Sequence, residues 1–205
     1  MSKFSLVIQA GGQSSRMGSD KGLLPFQGTT LIQYILGQLA GIGDETLIIS
    51  NRPGEYKNFG PTVYSDLIPD RGALGGIYSA MFYSIHDVCA ILACDMPFIN
   101  IPLLHHLTNL TAGYDVVMPR LEPNEYAEPF RAVYRKKTCL PVIKRQLDAG
   151  ELKVADFFDD VKIRYVEKEE LQQFDEDLIS FTNINTPEDL AKADKLAPSV
   201  TSTHI

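Results

Sequence analysis

An apolar run rich in branched side chains, Phe4 to Ile8, breaks at Ala10-Gly11-Gly12, and this junction constrains the chain more than any other stretch. The run has the composition of a buried strand, which must be covered by other elements. A glycine pair directly after a strand lets the backbone approach a ligand closely and turn several N–H groups toward one point. That arrangement suits phosphate oxygens.

The loop that follows supplies two cations of different character. Arg16 can fork onto two phosphate oxygens, whereas Lys21 is a mobile point charge, so together they could neutralise a triphosphate and stabilise a departing pyrophosphate. Neither of the two commonest glycine signatures is present. GxGxxG is missing, and Gly12 to Lys21 does not fit the P-loop spacing, so dinucleotide-binding and P-loop readings are excluded. A bare Gly-Gly pair is often only a solvated turn. That alternative weakens because Gly11-Gly12, Arg16, Met17-Gly18 and Asp20-Lys21-Gly22 all stand in register.

At 205 residues and 44% hydrophobic, the chain is expected to form a single domain over residues 1–197 with a core of its own, followed by a disordered tail over 198–205. The formal charge of -7 and the lack of a basic stripe argue against nucleic acid as a partner. Cys89, Cys94 and Cys139 are an odd set without CxxC spacing, which indicates reduced core thiols in place of a disulfide framework or a zinc site. No signal-peptide pattern opens the chain and no apolar run approaches the ~20 residues needed to span a bilayer, so the expectation is a cytoplasmic protein without a membrane partner.

Strands and helices alternate along the chain, the pattern of an α/β, Rossmann-like three-layer sandwich with a mostly parallel central sheet. After the opening strand, Thr30 caps a predicted helix in which Leu31, Ile32, Ile35, Leu36 and Leu39 recur at helical spacing. Strands are predicted over Thr46–Ser50, Thr62–Ser65, Val88–Ala93, Asp115–Met118, Phe130–Tyr134 and Val161–Val166. Helices are predicted over Gly75–Tyr83, Pro102–Leu110, Thr138–Ala149 and Pro187–Leu196.

Ligands in such folds sit at the carboxyl ends of the parallel strands, so the residues after each strand are candidates for the site. Asn51, within SNRPGEY, could face a base or ribose or simply form a turn. Asp66 opens SDLIPDRGALGG, where Gly72, Gly75 and Gly76 would permit close backbone approach to a ligand; Asp70 is an alternative carboxylate there. Asp95, in ACDMPF directly after the most apolar run, is costly unless paired, hydrogen-bonded or bound to a metal. Mg2+ with oxygen ligands fits that position, and a turn-capping Asp is the plainer alternative. Cys94 beside it has no histidine partner placed in sequence, and His105-His106 read as a helix face.

Read as AGGxSxRMGxDKGLL, the first loop resembles the signature of the molybdenum cofactor guanylyltransferase family, and the likeness extends from Phe4 to about Leu196. The late segment NINTPEDL, Asn183 to Leu190, matches the family closely. Thr186 there also reads as an N-cap, with Pro187 at the first helical position and Asp189 in the first turn. Two segments depart mildly: GALGG, Gly72 to Gly76, stands where GPLAG is often found, and EPF, Glu128 to Phe130, where some members carry HPVF in a strand that crosses near the acceptor pocket with Tyr134. The resemblance implies the nucleotidyltransferase-type fold and Mg2+ on Asp95. It implies nucleotide contacts from Gln9, Ala10, Gly11, Gly12, Lys21, Asn51, Asp66 and Asp95, and an acceptor site at Asn183 and Asn185.

It further implies that GTP and molybdopterin, or its molybdenum-loaded form, are the substrates, with contact to molybdenum-cofactor insertion proteins or molybdoenzymes. The acceptor phosphate is already anionic near pH 7, so it can attack the α-phosphorus of GTP without an obligatory protein base. Arg16, Lys21 and Asp95 would carry catalysis by positioning and charge neutralisation. Two other readings stay open at this point: a related nucleotidyltransferase using CTP or another small phosphorylated acceptor, and a nucleotide-binding regulator without turnover.

Overall fold

In a computed structural model the protein is described over residues 3–10, 20–122 and 127–201. The first strand, β1 (Phe4–Gln9), is followed by a short 3-10 turn at Lys21–Leu23 and a hairpin of β2 (Pro25–Phe26) and β3 (Thr29–Thr30). Its turn residues Gln27 (φ 49°) and Gly28 (φ 74°) both take left-handed backbone, the geometry that lets a two-residue turn match the strand twist. Then come α1 (Leu31–Gln38), β4 (Glu45–Ile49), α2 (Pro53–Tyr56), β5 (Thr62–Tyr64), α3 (Gly72–Tyr83) and β6 (Val88–Ala93). The second half contains α4 (Ile101–Asn109), β7 (Val116–Arg120), β8 (Arg131–Arg135), α5 (Lys136–Asp148), α6 (Val154–Phe158), β9 (Ile163–Glu167), α7 (Lys168–Leu171) and α8 (Pro187–Thr201).

The main sheet has seven strands in the order β5-β4-β1-β6-β8-β7-β9. Every neighbouring pair is parallel except the two made by β8, which runs antiparallel to both β6 and β7. The expected mostly parallel α/β sheet is therefore present, with one reversed strand that hydrophobic patterning could not orient. Alternate residues of the strands feed two separate cores. Leu6, Ile8, Ala90 and Leu92 pack with Ile32 and Ile35 of α1 and Leu103 and Leu107 of α4. Val7, Cys89 and Ile91 pack with Ile77 and Met81 of α3 and Ile143 of α5. A period-two pattern that is apolar on both sides is what makes β1 and β6 central.

Helix starts follow local chemistry. Thr30 and Asn100 cap α1 and α4 by accepting from Gln33 N (3.4 Å) and Leu103 N (2.9 Å). At α8, Thr186 Oγ1 accepts from Asp189 N while Asp189 Oδ2 accepts from Asn185 N and Thr186 N, a reciprocal cap. This helix runs beyond the expected Leu196 to Thr201, and residues 202–205 lie outside the described residues. It docks on the hairpin through a third cluster in which Ala193 and Ile184 meet Phe26, Leu31 and Phe98. Gln27 reinforces the contact by donating to the Asp194 carbonyl (2.7 Å). No described helix is long and apolar enough to cross a membrane.

Candidate active site

The order in which strands are added reverses between β1 and β6, which themselves run parallel: from β1 the sheet is extended on one side by β4 and β5, and on the other by β6. Such a switch point opens a crevice at the carboxyl ends of the strands. The exits are tied to one another by main-chain bonds, Ala10 N to Ile49 O (2.9 Å), Ser50 N to Tyr64 O (2.9 Å) and Cys94 N to Gln9 O (3.1 Å). Asp66, Asn51, Gln9-Ala10 and Asp95 therefore follow β5, β4, β1 and β6 in spatial order along one edge. At about 4.8 Å per strand the row spans about 14 Å from end to end.

At the β6 end, Lys21 Nζ lies 3.0 Å from Asp95 Oδ2 and 2.7 Å from Asn185 Oδ1. Side chains separated by 74 and 164 positions in sequence thus converge on one ammonium. Both members of the ion pair are largely covered, with 15% of the Lys21 side chain and 23% of the Asp95 side chain exposed. Lys21 is aimed by its neighbour: Asp20 Oδ1 accepts from Gly22 N (3.2 Å) and from the Tyr56 hydroxyl of α2. Gly22 must be small here, because a Cβ would stand 2.5 Å from Tyr56 Oη. Burial pushes the Tyr56 phenol far above its ordinary range, and the bond to Asp20 adds to the effect, so Tyr56 is a permanent donor.

The segment carrying Asp95 is held through its backbone. Asp95 O accepts from Ile184 N (2.8 Å), which joins it to the late Asn-Ile-Asn segment. The Gln38 side chain at the end of α1 donates to Pro97 O (2.8 Å) and accepts from Ile99 N (3.1 Å). Arg131 at the start of β8 donates to Met96 O (2.7 Å). None of these bonds uses the Asp95 carboxylate.

At the other end of the row, Asn51 Nδ2 donates to Asp66 Oδ2 (2.9 Å) and Asn51 Oδ1 accepts from Asp66 N (3.3 Å), while Asp66 Oδ1 is buried with no protein partner among the described residues. Asp70 is an exposed residue with left-handed backbone (φ 60°) in the turn before α3. Gly75 and Gly76 are buried, and Cβ atoms there would meet the side chains of Arg71 and Gln9. Smallness at Gly75 leaves room for Arg71 of the turn before α3, and smallness at Gly76 leaves room for the Gln9 side chain at the end of β1. Gly72, with φ +56° and open space around it, is the one of the three that leaves room.

Asn183 is exposed beside Asn185. Gly11, Gly12 and Arg16 lie outside the described residues, as do Met17 and Gly18. Tyr134 is buried in the core and donates to Pro129 O (2.7 Å), whereas Phe130 reaches the β6 exit through Ala93 N (2.8 Å to Phe130 O). The thiols offer no nucleophile. Burial pushes Cys89 and Cys139 up to about 12 and Cys94 well above the ordinary range. His106 contacts Glu170 (2.8 Å) and stacks on Phe174, and His105 packs edge-on against Phe4, so both serve α4. Among the described residues no group of three or more His, Cys, Asp or Glu side chains is arranged to hold a metal.

Tyr56, Gln38 and Arg131 were not among the residues singled out from the sequence, and Asp20 stood there only as part of the loop signature, without a role of its own. Asp20 carried a usable signal as a capping residue ahead of Lys21-Gly22. The other three reach the site only through tertiary contacts and leave no local pattern.

Residues 6–163 match the family model of the MobA-like NTP transferase domain. The chain is 37% identical over 191 residues to a probable molybdenum cofactor guanylyltransferase of Pelotomaculum thermopropionicum, covering 93% of this chain and 92% of that protein. It is 33% identical over 190 residues to the molybdenum cofactor guanylyltransferase of Desulfosudis oleivorans, covering 92% and 93%. The crystal structure of molybdopterin-guanine dinucleotide biosynthesis protein A from Archaeoglobus fulgidus superposes with a TM-score of 0.82 at 27% identity, covering 95% of this chain and 99% of that one. A nucleotidyl transferase from Methanothermobacter thermautotrophicus shares the fold at a TM-score of 0.71 and 18% identity, covering 98% and 99%. With this breadth of match and this arrangement of strand exits, the chain belongs to the molybdenum cofactor guanylyltransferase family of MobA-like nucleotidyltransferases.

Proposed function

We propose that the protein transfers GMP from GTP to the terminal phosphate of molybdopterin, or of its molybdenum-loaded form, releasing pyrophosphate and forming the guanine dinucleotide cofactor. The observation that carries this reading is the Lys21 ammonium held between Asp95 and Asn185, where the nucleotide row meets the late segment. In this reading the nucleotide lies along the strand exits, with Asn51 and Asp66 toward ribose and base and Gln9, Ala10, Gly11 and Gly12 approaching it through backbone. Arg16 and Lys21 take the phosphates. Asn183 and Asn185 face the acceptor.

Mg2+ fits the donor set. It is commonly held by one or two carboxylates with phosphate oxygens and waters completing the shell, and Asp95 offers a partly exposed carboxylate on a fixed backbone at the switch point. When bound it would neutralise charge on the phosphates. The chain's own part is to orient and to neutralise. Lys21, a single-point cation on a flexible stem, can exchange Asp95 for a phosphate oxygen. Asp20, pinned by Tyr56, keeps the base of that stem in place. The acceptor phosphate needs no proton removed, which agrees with a site in which, among the described residues, neither His105, His106 nor a thiol is placed to act as a base.

Free, buried cysteines suit a reducing cytoplasm, the setting proposed here, and delivery of the product to insertion proteins or molybdoenzymes would follow synthesis. Thermal melts with Mg2+ and each of GTP, CTP, ATP and UTP test the assignment, because stabilisation grows with the logarithm of ligand over Kd. GTP should raise the melting temperature most. Equal shifts with GTP and CTP would remove the guanylyl assignment and favour a cytidylyltransferase.

A further inference from the structure

Arg131 is 5% exposed and sits at the start of β8, beside the exit of β6, where Leu92 is its strand partner. A buried guanidinium is costly unless its donors and its charge are answered. One answer is the bond from Nη2 to Met96 O (2.7 Å), the residue after Asp95. Burial lowers the Arg131 pKa to about 10, and the negative charges of Asp95, then Glu128 and Asp175, act against that fall. Arg131 stays cationic at neutral pH.

Asp175 is itself buried, and its carboxylate accepts from Ile179 N (3.0 Å) and Ser180 N (2.8 Å), fixing the turn that leads into Asn183-Ile184-Asn185. Arg131 and Ser180 line one small cavity of about 10 Å³ together with Leu92, Ile99 and Asn100. Arg131 Nε and Ser180 Oγ are buried there with no protein partner among the described residues, and a space of this size holds about one water.

From these contacts we infer that Arg131 is a positioning residue of the transfer reaction: through Met96 and the Asp175-Ser180 turn it fixes the Asp95 loop and the Asn183–Asn185 segment at one separation on either side of Lys21. The inference rests on the transferase reading above. Its distinctive consequence is that the charge, not the packing, matters to function. Apolar replacement of a buried ion is often neutral or favourable to folding, so a role confined to folding would leave turnover per folded molecule unchanged.

The test compares Arg131→Met, Arg131→Lys and Lys21→Ala in the full chain, by thermal melting, by the GTP-induced thermal shift and by kcat and KM for the acceptor. Arg131→Met should melt close to wild type yet lose at least tenfold in kcat/KM for the acceptor, with a smaller GTP-induced shift. Arg131→Lys, which keeps the charge and a donor for Met96 O, should recover most of that loss. Wild-type kinetics in folded Arg131→Met, with Lys21→Ala impaired, would overturn the inference and leave the transferase reading standing. Wild-type kinetics in both would overturn the transferase reading as well. Should Arg131→Met not fold, Asp175→Asn decides: a severalfold rise in acceptor KM supports the link, and unchanged kinetics overturns it.

Discussion

Replacing Asp95 with Asn separates a metal-holding, phosphate-facing carboxylate from a residue that only shapes a turn. The backbone of the Asp95 segment is held by Gln9 O, Ile184 N, Gln38 and Arg131, bonds that do not involve the side chain. The carboxamide keeps the shape and an oxygen for Lys21 Nζ, which stands 3.0 Å from Oδ2. Folding should therefore lose only the charge contribution of one partly exposed ion pair, about 0–1 kcal/mol, or at most about 2–4 °C in Tm for a chain of this length. Function should respond on another scale, since loss of the carboxylate proposed to hold Mg2+ at this exit is expected to slow transfer about a hundredfold, about 2.7 kcal/mol in the barrier. Melting curves and Mg2+-dependent pyrophosphate release on the same preparation give both quantities, and added Mg2+ should restore only part of the rate. A variant that melts like wild type and turns over at a near wild-type rate would take Asp95 out of the site.

Lys21→Ala removes the ammonium that joins Asp95 to Asn185 and should cost about 2–4 kcal/mol in the barrier with the fold intact, read as kcat/KM on folded protein. Gly22→Ala would push a Cβ to 2.5 Å from Tyr56 Oη and should destabilise by about 1–3 kcal/mol in denaturant titrations, with Tyr56→Phe in the same chain recovering part of it. The three thiols should resist alkylation in native protein at pH 8 and react only after unfolding, because burial holds each above the ordinary thiol range. The Thr186 hydroxyl, which the reciprocal cap places on Asp189, holds that carboxyl below its ordinary 3.8, with the Asn185 amide adding to it. Because the folded value is depressed, the stabilisation is present above 3.8 and lost as pH falls through the lower folded value, so acid unfolding of Asp189→Ala should show a shallower pH dependence below 3.8 than that of wild type.

Much of the scaffold was legible because burial leaves a period in the sequence. The runs Phe4–Ile8 and Val88–Ala93 are apolar at alternate positions of both parities, and they become the two strands that flank the switch point. Strand direction was not legible, since β8 carries the same kind of pattern as its neighbours and is reversed only by the connections on either side of it. In the site, Lys21 and Asp95 were visible as charges placed at glycine-rich or apolar boundaries, and Asn185 through its motif. Tyr56, Gln38 and Arg131 were not visible. Each acts across the fold, on Asp20, on Pro97 with Ile99, and on Met96, at separations where no local spacing records the contact. The glycines of the Gly72–Gly76 segment gave a ligand-like signal, and the sequence could not show that a Cβ at Gly75 or Gly76 would meet Arg71 or Gln9 while Gly72 has open space around it.

The most direct measurement is product formation with the purified chain, molybdopterin, Mg2+ and one nucleoside triphosphate at a time, following pyrophosphate and the dinucleotide together. Guanylyl transfer requires that GTP yield both in equal amounts while CTP yields little of either. Comparable rates with CTP and GTP, or pyrophosphate release from GTP that is indifferent to molybdopterin, would contradict it.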